Sequence, residues 1–346
     1  MAVNPNELAA VVLQKINDFV PDALERETKF CSILTGEQKK QQKGGLTVNA
    51  PIKLLANAAQ GFIPGVGANL DLTPSQQLQY MVFPWRYFNF NVAFTLQDYN
   101  IADGPLEIVD FMEEKIEGAL ADAVRLWSVA FMGSSASGPK VNNVALNFDG
   151  IQDMAAASAA DVAGNTYGAL TDTDYAAGTF LPLIYDDGTY TKTAGSFTQI
   201  NYANFNKMAT DLRLRIRGFG KSKKISAFTN GLQYSKLKTA LQNQQIFINE
   251  SDFIKAGFVG FEIDGVDTYP DADAPGTGIA GTNDNWLFMF PEEIMKLWYH
   301  FGFGTKSIFD GEVRIPNQPI NSYQNFVTGN PICTNRRLIA AATKLG

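Results

Sequence analysis

The sequence is poor in the residues from which catalytic and metal centres are usually built. Its 346 residues include two cysteines, Cys31 and Cys333, and one histidine, His300. Two cysteines so far apart in sequence make neither a disulfide framework nor a set of metal ligands, and they fit a reducing compartment. A Ser–His or Cys–His nucleophile would depend on His300, which lies in an apolar segment and which we interpret as a partly buried structural residue. We therefore expect no catalytic residue, no cofactor and no metal ion, and we predict that the protein is not an enzyme.

Other short motifs that carry chemistry are incomplete. Gly220-Lys221-Ser222 imitates the end of a phosphate-binding loop, but Arg215 stands where the required earlier glycine belongs. Three pairs of aspartates lie in segments rich in glycine and threonine, and we interpret them as solvated loop residues rather than as ligands of a hard cation. These pairs are Asp172 and Asp174, Asp186 and Asp187, and Asp271 and Asp273.

Charge is also scarce. Charged residues make up 18% of the chain, below the roughly 25% of typical soluble proteins, which favours a surface partly covered by other subunits. The net charge is −7 and no run of lysine or arginine forms a basic tail, so we expect no tight binding of nucleic acid. No apolar run approaches the ~20 residues that span a membrane, and the first residues lack the pattern of a signal peptide.

One basic patch interrupts this pattern. Arg213 and Arg217 share a face of a predicted helix, and Lys221 follows shortly after. Such cations contact phosphates or the carboxylates of a neighbouring subunit. Equally, they are typical of a solvated helix end, where positive charge suits the C-terminal dipole.

The most informative segment, residues 45–95, has the pattern of a long apolar β-hairpin. Apolar and polar residues alternate over 46–54 and again over 78–94, as in strands, and residues 56–77 between them are rich in glycine. The segment has three charged residues and eight aromatic ones. A two-stranded ribbon is marginal in water, so one this apolar needs a partner surface. The alternative is that its strands are ordinary core strands of the main domain.

The rest of the chain predicts a mixed α and β protein. Residues 1–44 read as an arm outside the main core, with a helix that begins near Asn4. A long helix starts at Pro105 and ends before Gly133, about 40 Å in length. Further predicted elements are helices over 202–217 and 232–241, a strand over 224–228, a hairpin around Asp264-Gly265, and short strands over 286–290, 294–301, 323–327 and 337–343.

This order of elements resembles the major capsid proteins of tailed bacteriophages, which have the Hong Kong 97-type fold. Local sequences agree with the resemblance: residues 126–134 at the end of the long helix, Phe148-Asp149-Gly150-Ile151, the hairpin over 257–269, and Asn335-Arg336-Arg337. The resemblance implies an α+β fold with an N-terminal arm at 1–44 and an extended β-hairpin, the E-loop, at 45–95. It implies a peripheral domain with a spine helix at 96–147 and 286–346, and an α/β axial domain at 148–285.

The resemblance also implies a function. Copies of the chain are expected to form hexamers and pentamers of an icosahedral shell that encloses double-stranded DNA without binding it specifically. Expected E-loop contacts with a neighbouring subunit are Lys53, Phe62, Tyr80, Phe83, Trp85, Arg86 and Tyr87. Expected arm contacts are Leu8, Val12, Ile16 and Phe19, and the charged candidates Arg213, Arg217 and Lys221 would face capsomer neighbours or DNA.

The resemblance implies a separate scaffolding protein, a portal and a decoration protein as partners. The scaffolding protein is expected to be separate because the arm helix begins close to Met1. The implied location is the virion, assembled in the cytoplasm of a bacterial host, with no membrane partner. An encapsulin, a cellular shell of the same fold with an enzyme cargo, is the alternative. A soluble α/β enzyme that relies on His300 and loop aspartates is a third.

Overall fold

A computed structural model describes fourteen stretches of the chain, and the structural statements below concern these residues. They are 28–35, 38–53, 78–95, 105–133, 148–155, 166–171, 181–186, 194–197, 199–216, 224–242, 260–274, 285–300, 308–314 and 320–345. The predicted arm helix near Asn4 and the predicted hairpin tip at 56–77 lie outside them.

Five helices alternate with sixteen strands in the described residues. The helices are α1 (Lys29–Thr35), α2 (Pro105–Met132), α3 (Ile151–Ala155), α4 (Tyr202–Ile216) and α5 (Gly231–Gln242). The strands are β1 (Lys39–Gln42), β2 (Thr47–Lys53), β3 (Leu78–Pro84), β4 (Arg86–Thr95), β5 (Thr166–Tyr167), β6 (Leu170–Thr171), β7 (Leu183–Asp186), β8 (Gly195–Ser196), β9 (Ile225–Thr229), β10 (Phe261–Ile263), β11 (Val266–Pro270), β12 (Asn285–Pro291), β13 (Met295–His300), β14 (Ile308–Arg314), β15 (Ile320–Cys333) and β16 (Ala340–Leu345). Short 3₁₀ turns follow β12 and β15.

A seven-stranded sheet in the order β10-β11-β9-β12-β16-β7-β8 divides the molecule into two hydrophobic cores. Along β12, Trp286, Phe288 and Phe290 point into one core, and Leu287 and Met289 point into the other. Every residue of β12 is buried, because both faces of the sheet are covered. This double burial explains why the segment reads as a continuous apolar run instead of an alternating one.

The seven-stranded sheet crosses the domain division that we expected at residue 285. Strands β12 and β16 pair with each other, and β12 also pairs with β9. Both were assigned to the peripheral domain, whereas β9 was assigned to the axial one. Strand partners in a sheet are determined by long-range packing, which the order of elements along the chain does not reveal.

The second sheet is built around the long strand β15. Its first ten residues pair with β4 on one side, and part of the same stretch pairs with β14 on the other. Its last residues pair with β13, which pairs in turn with β1. Helix α2 packs on β4, and Phe88 of β4 meets Trp127 of α2 with ring centroids 5.5 Å apart. The predicted helix from Pro105 to the residue before Gly133 is confirmed.

Two predictions about the first half of the chain are wrong. Residues 28–42 do not lie outside the main core. Phe30 of α1 is 1% exposed, and its ring centroid lies 5.4 Å from that of Phe228. The polar strand β1 pairs in parallel with β13. The strand predicted over 78–94 is two strands that separate at Trp85. Pro84 has no N–H for a ladder, and the halves join different sheets, β3 with β2 and β4 with β15.

Candidate subunit interface

The hairpin of β2 and β3 has one buried face and one exposed face. The strands pair antiparallel, with Val48 opposite Phe83 and Pro51 opposite Tyr80. The inner face is apolar and buried within the chain's own core: Val48, Ala50, Ile52, Met81 and Phe83. The outer face carries Asn49, Pro51, Tyr80 and Val82, all exposed. Tyr80 is 61% exposed, so an apolar ring stands on the outer face with most of its surface in water.

The structure bears on one of the two interpretations of the hairpin. Its inner face packs on the chain's own core, as core strands do, and β4 is a core strand of the five-stranded sheet. Its outer face exposes the apolar side chains of Tyr80 and Val82, and their contact with a partner stays a prediction. The alternation of the sequence is the signature of this two-sided arrangement.

The free edge of β2 is closed near the base of the hairpin. The backbone N–H of Asn49 points away from β3 and donates to Oε1 of Gln42 at 3.4 Å. Nε2 of the same Gln42 donates to the Thr47 carbonyl oxygen at 2.9 Å. Two residues further along the same edge stands Pro51, which has no N–H. A second strand therefore finds few donors here, and association through side chains of the outer face is favoured over strand addition.

Trp85 forms the elbow between β3 and β4. Its Nε1–H donates to the carbonyl oxygen of Gly45 at 2.9 Å, which closes the base of the hairpin. Its ring lies edge-on to the imidazole of His300, with centroids 5.2 Å apart. His300 is half-buried in β13, as expected of a structural histidine.

A polar network fixes the chain just after the elbow. Nη2 of Arg86 donates to Oδ1 of Asp149 at 2.9 Å. Asn330 on β15 donates from Nδ2 to Oδ2 of the same carboxylate at 2.6 Å and accepts the Asp149 backbone N–H at 3.1 Å. The Asn330 Nδ2 also lies 3.3 Å from the carbonyl oxygen of Pro84. The network joins the last residue of the hairpin to the segment just before α3 and to β15.

The short β5–β6 hairpin lies against the other edge of β3. The Val82 N–H donates to the carbonyl oxygen of Gly168 at 2.9 Å, and the rings of Phe83 and Tyr167 meet with centroids 4.9 Å apart. Sequence reasoning identified neither this contact nor Asn330. Strands of two residues carry no periodicity, and the partners are far apart in sequence.

The expected hairpin contacts fall in different environments. Phe83 and Trp85 are buried within the chain itself, 3% and 7% exposed, and Arg86 is paired with Asp149. Tyr87 on β4 is 73% exposed, more than Tyr80. A role in a subunit contact stays a prediction for all of them, with Tyr80 and Tyr87 as the rings that a neighbour reaches directly.

Other expected site residues are placed in part. Lys53 ends β2. Arg213 forms a 2.6 Å ion pair with Asp264 at the turn between β10 and β11, so its charge already has a partner within the chain. The remaining candidates, Leu8, Val12, Ile16, Phe19, Phe62, Arg217 and Lys221, lie outside the described residues.

Two ionisable side chains, Lys29 and Asp271, are buried near opposite ends of β11. Burial lowers the pKa of Lys29 on α1 to about 8, and the nearby carboxylates of Glu292 and Asp267 oppose this shift. Burial raises the pKa of Asp271 to about 6, although its Oδ1 accepts the backbone N–H of Asp273. Asp271 is thus not the solvated loop residue that we expected. No group of three metal-ligating side chains occurs in the parts of the chain that the structure describes.

Solved structures match this chain, whereas no protein-family model and no curated protein matches it. The capsid of cyanophage A-1(L) aligns with a TM-score of 0.64 at 12% identity, over 92% of this chain and 93% of that chain. The head of Helicobacter pylori bacteriophage KHP40 aligns at 0.54 and 9% identity, over 91% and 90%. The SrpI encapsulin from Synechococcus elongatus PCC 7942 aligns at 0.53 and 8% identity, over 93% and 89%.

These matches are to shell proteins rather than to enzymes. Among the helices of the described residues, none is both long and apolar enough to cross a bilayer. The aligned share is about nine-tenths of the chain in each case, so the likeness concerns the whole arrangement of two sheets and long helix. The chain has the α+β fold of Hong Kong 97-type phage capsid proteins, a fold that this encapsulin shares.

Proposed function

We propose that this chain is the major capsid protein of a tailed bacteriophage. Many copies assemble into hexamers and pentamers of an icosahedral shell, which encloses double-stranded DNA without recognising its sequence. The whole-chain likeness to phage capsids carries the proposal. The net charge of −7 agrees with a container that does not condense its cargo on the wall.

In this proposal the β2–β3 hairpin is the base of the E-loop, and α2 is the spine helix of the peripheral domain. The outer face of the hairpin packs on a neighbouring subunit, with Tyr80 and Val82 at its centre and Tyr87 beside it. Complete burial of an exposed apolar side chain contributes roughly 1.5–3 kcal/mol, and Tyr80 and Val82 contribute less because each is already partly covered. Each contact is modest, but a subunit makes several at once, and repetition around a closed shell makes the assembly strong.

The remaining parts follow the same assignment. The arm contacts a second neighbour through Leu8, Val12, Ile16 and Phe19, and the axial domain meets its copies around the capsomer axis. A separate scaffolding protein, a portal and a decoration protein are the expected partners. Assembly takes place in the cytoplasm of the bacterial host, and the finished protein is a component of the virion.

The likeness to the SrpI encapsulin supports a second candidate, a cellular shell with an enzyme cargo. Both candidates use the same subunit contacts and differ in what the shell contains. Particles purified from the native producing cells and treated with nuclease discriminate between them. Protected double-stranded DNA supports the capsid, and a stoichiometric enzyme found by mass spectrometry supports the compartment.

Electron microscopy of the purified protein tests the shell itself. The parent is expected to form closed particles, alone or with its scaffolding protein, and a Tyr80→Ser/Val82→Ser variant is expected to stay as folded, unassembled subunits. Tyr80→Phe keeps the apolar ring and is the matched control, expected to assemble. A parent that stays monomeric under all these conditions would contradict the shell function. Normal particles from the double variant would contradict the role of the hairpin face.

A further inference from the structure

The turn between β5 and β6 is built to approach another part of the chain closely. Gly168 and Ala169 both have positive φ, 62° in each case, as a tight two-residue hairpin turn requires. The turn presents its first residue to the inner face of the β2–β3 hairpin. A Cβ atom at Gly168 would lie 2.7 Å from Cβ of Met81 and 2.8 Å from Cζ of Phe83. Only glycine fits at this contact without displacing one of the two hairpins.

The same turn holds the outward edge of β3. Val82 stands opposite Asn49 in the β2–β3 ladder, and the N–H of Asn49 leaves the ladder towards Gln42. The N–H of Val82 likewise leaves the ladder and donates to the carbonyl oxygen of Gly168. The hydrogen bond from Val82 to Gly168 therefore uses an N–H group that does not take part in the β2–β3 pairing. It ties the edge of β3 to a separate element.

Behind the turn, Tyr167 is fixed in the body of the protein. Its hydroxyl oxygen accepts the backbone N–H of Cys333 at 2.9 Å, and its ring faces the guanidinium of Arg336 at 5.1 Å. Arg336 is 1% exposed and donates from Nε to the carbonyl oxygen of Met154 at 2.8 Å. The turn is thus connected through buried groups to β15 and to α3.

We propose that the β5–β6 turn is a brace that sets the direction in which the β2–β3 hairpin leaves the body of the subunit. The brace presses on the inner face at Met81 and Phe83 and holds the edge at Val82. Asn330 of β15 donates to the carbonyl oxygen of Pro84 at the base of the hairpin, which gives the hairpin a second point of support on the body, and two supports define its angle. The free subunit therefore carries the hairpin already oriented. That this orientation determines the curvature of a shell rests on the proposed function, whereas the brace itself does not.

A distance measurement between two spin labels tests the brace in unassembled subunits. One label is placed at Asn49→Cys on the outer face of the hairpin, and the other at Asp122→Cys on the exposed side of α2. The native cysteines do not compete for the label, because Cys31 and Cys333 are buried and burial raises the pKa of each to about 12. The parent is expected to give one narrow distance distribution by pulsed electron paramagnetic resonance.

Gly168→Val is expected to shift and broaden that distribution, because its side chain occupies the space of Met81 and Phe83. Gly265→Val is the matched control: this glycine also has a positive φ, 68°, in a two-residue turn, but its nearest neighbour is the flexible end of Arg213. The control carries the same kind of backbone strain without touching the hairpin, and its distribution should equal that of the parent.

Val82→Pro is a second variant that does not depend on how Gly168→Val folds. It removes the N–H that Gly168 accepts and leaves the β2–β3 ladder intact, so it should broaden the distribution as well. Circular dichroism and the thermal midpoint show whether each variant is folded. A broad distribution in the parent would overturn the brace, and so would parent-like distributions in folded Gly168→Val and Val82→Pro. Particle formation does not enter this measurement, so failure of the brace and failure of the shell proposal are separate results.

Discussion

The guanidinium of Arg86 and the carboxylate of Asp149 lie 2.9 Å apart at the point where the hairpin strand enters the five-stranded sheet. Their side chains are 15% and 13% exposed, so the pair is largely shielded from water. Asn330 occupies the second carboxylate oxygen. A charge at such a position is tolerated because its partner and its hydrogen bonds are supplied by the fold.

Asp149→Asn is expected to lower the free energy of unfolding by roughly 3 kcal/mol, because it removes the carboxylate charge that pairs with Arg86 at a site largely shielded from water. The new amide also presents a donor where Asn330 or Arg86 donates. Chemical denaturation of unassembled subunits measures the loss. The Arg86→Met/Asp149→Leu double variant is the control and should be more stable than Asp149→Asn. Additive losses from Arg86→Met and Asp149→Leu in a double-mutant cycle would show that the two side chains are not coupled.

Gly150→Ala is expected to lower the free energy of unfolding by about 3 kcal/mol or more, since the added methyl group meets rigid backbone. A Cβ there would overlap the carbonyl oxygen of Gly133 and lie 2.6 Å from that of Ala130. Gly118→Ala on α2 is the matched control, because a Cβ at Gly118 meets nothing within 4 Å. That variant should gain up to about 1 kcal/mol from helix propensity. Equal thermal midpoints for the two variants would contradict the close approach of α3 to α2.

Asp271→Asn is expected to raise the free energy of unfolding at neutral pH. Burial raises the pKa of this carboxyl from 3.8 to about 6, so between those values the folded state binds more protons than the unfolded state. The stability of the parent therefore falls as the pH rises through this window. The neutral amide avoids the loss, and its Oδ1 still accepts the N–H of Asp273.

Urea denaturation at a series of pH values measures the effect of Asp271→Asn. The gain should be small below about pH 4 and complete above about pH 6, following the two pKa values of the group. Asp122→Asn on the exposed side of α2 is the control and should show no such step. A gain that is constant across the range would mean that the Asp271 carboxyl does not titrate differently in the folded state.

Lys29→Met is expected to stabilise the subunit at pH 7 and to lose that advantage in alkali. Burial lowers the pKa of Lys29 from 10.5 to about 8, so the unfolded state binds more protons between these values. The stability of the parent then rises with pH across the window, and the gain of the variant shrinks. Lys238→Met on the exposed side of α5 is the control. An unchanged gain from pH 8 to 10.5 would contradict a buried ammonium at Lys29.

Elements with a local signal were predicted from the sequence. The long helix α2 and the helices α4 and α5 have the predicted bounds within one or two residues, because their apolar stripes and their glycine or proline ends lie within each segment. The hairpin at Asp264-Gly265 forms as predicted, and both residues have the positive φ that its turn requires. The alternation of apolar and polar residues in β2 and β3 predicted a hairpin with two different faces, and one of them is buried in the structure.

Features that depend on distant partners were not predictable. The run Lys39–Gln42 is polar and was predicted to belong to an arm outside the core, yet it forms a strand that pairs with β13, with Leu297 opposite Lys39. Helix α1 belongs to the core because the ring of Phe30 packs on those of Phe228 and Phe290. A helix of seven residues is too short for its periodicity to predict these contacts. In the candidate interface, the sequence indicated the aromatic residues, but it did not show which of them are buried within the chain's own core.

The pairing of distant strands also has a consequence for how the subunit folds. In the seven-stranded sheet β16 runs parallel to β7, with Ala340 opposite Leu183, and in the other sheet β1 runs parallel to β13. The entropic cost of closing a very long loop precedes the hydrogen bonds of each pairing. Chains dominated by such contacts fold slowly. Until the loops close, β12 is an uncovered stretch of Trp, Leu, Phe and Met, which favours aggregation. We therefore expect slow folding through intermediates that are prone to aggregation.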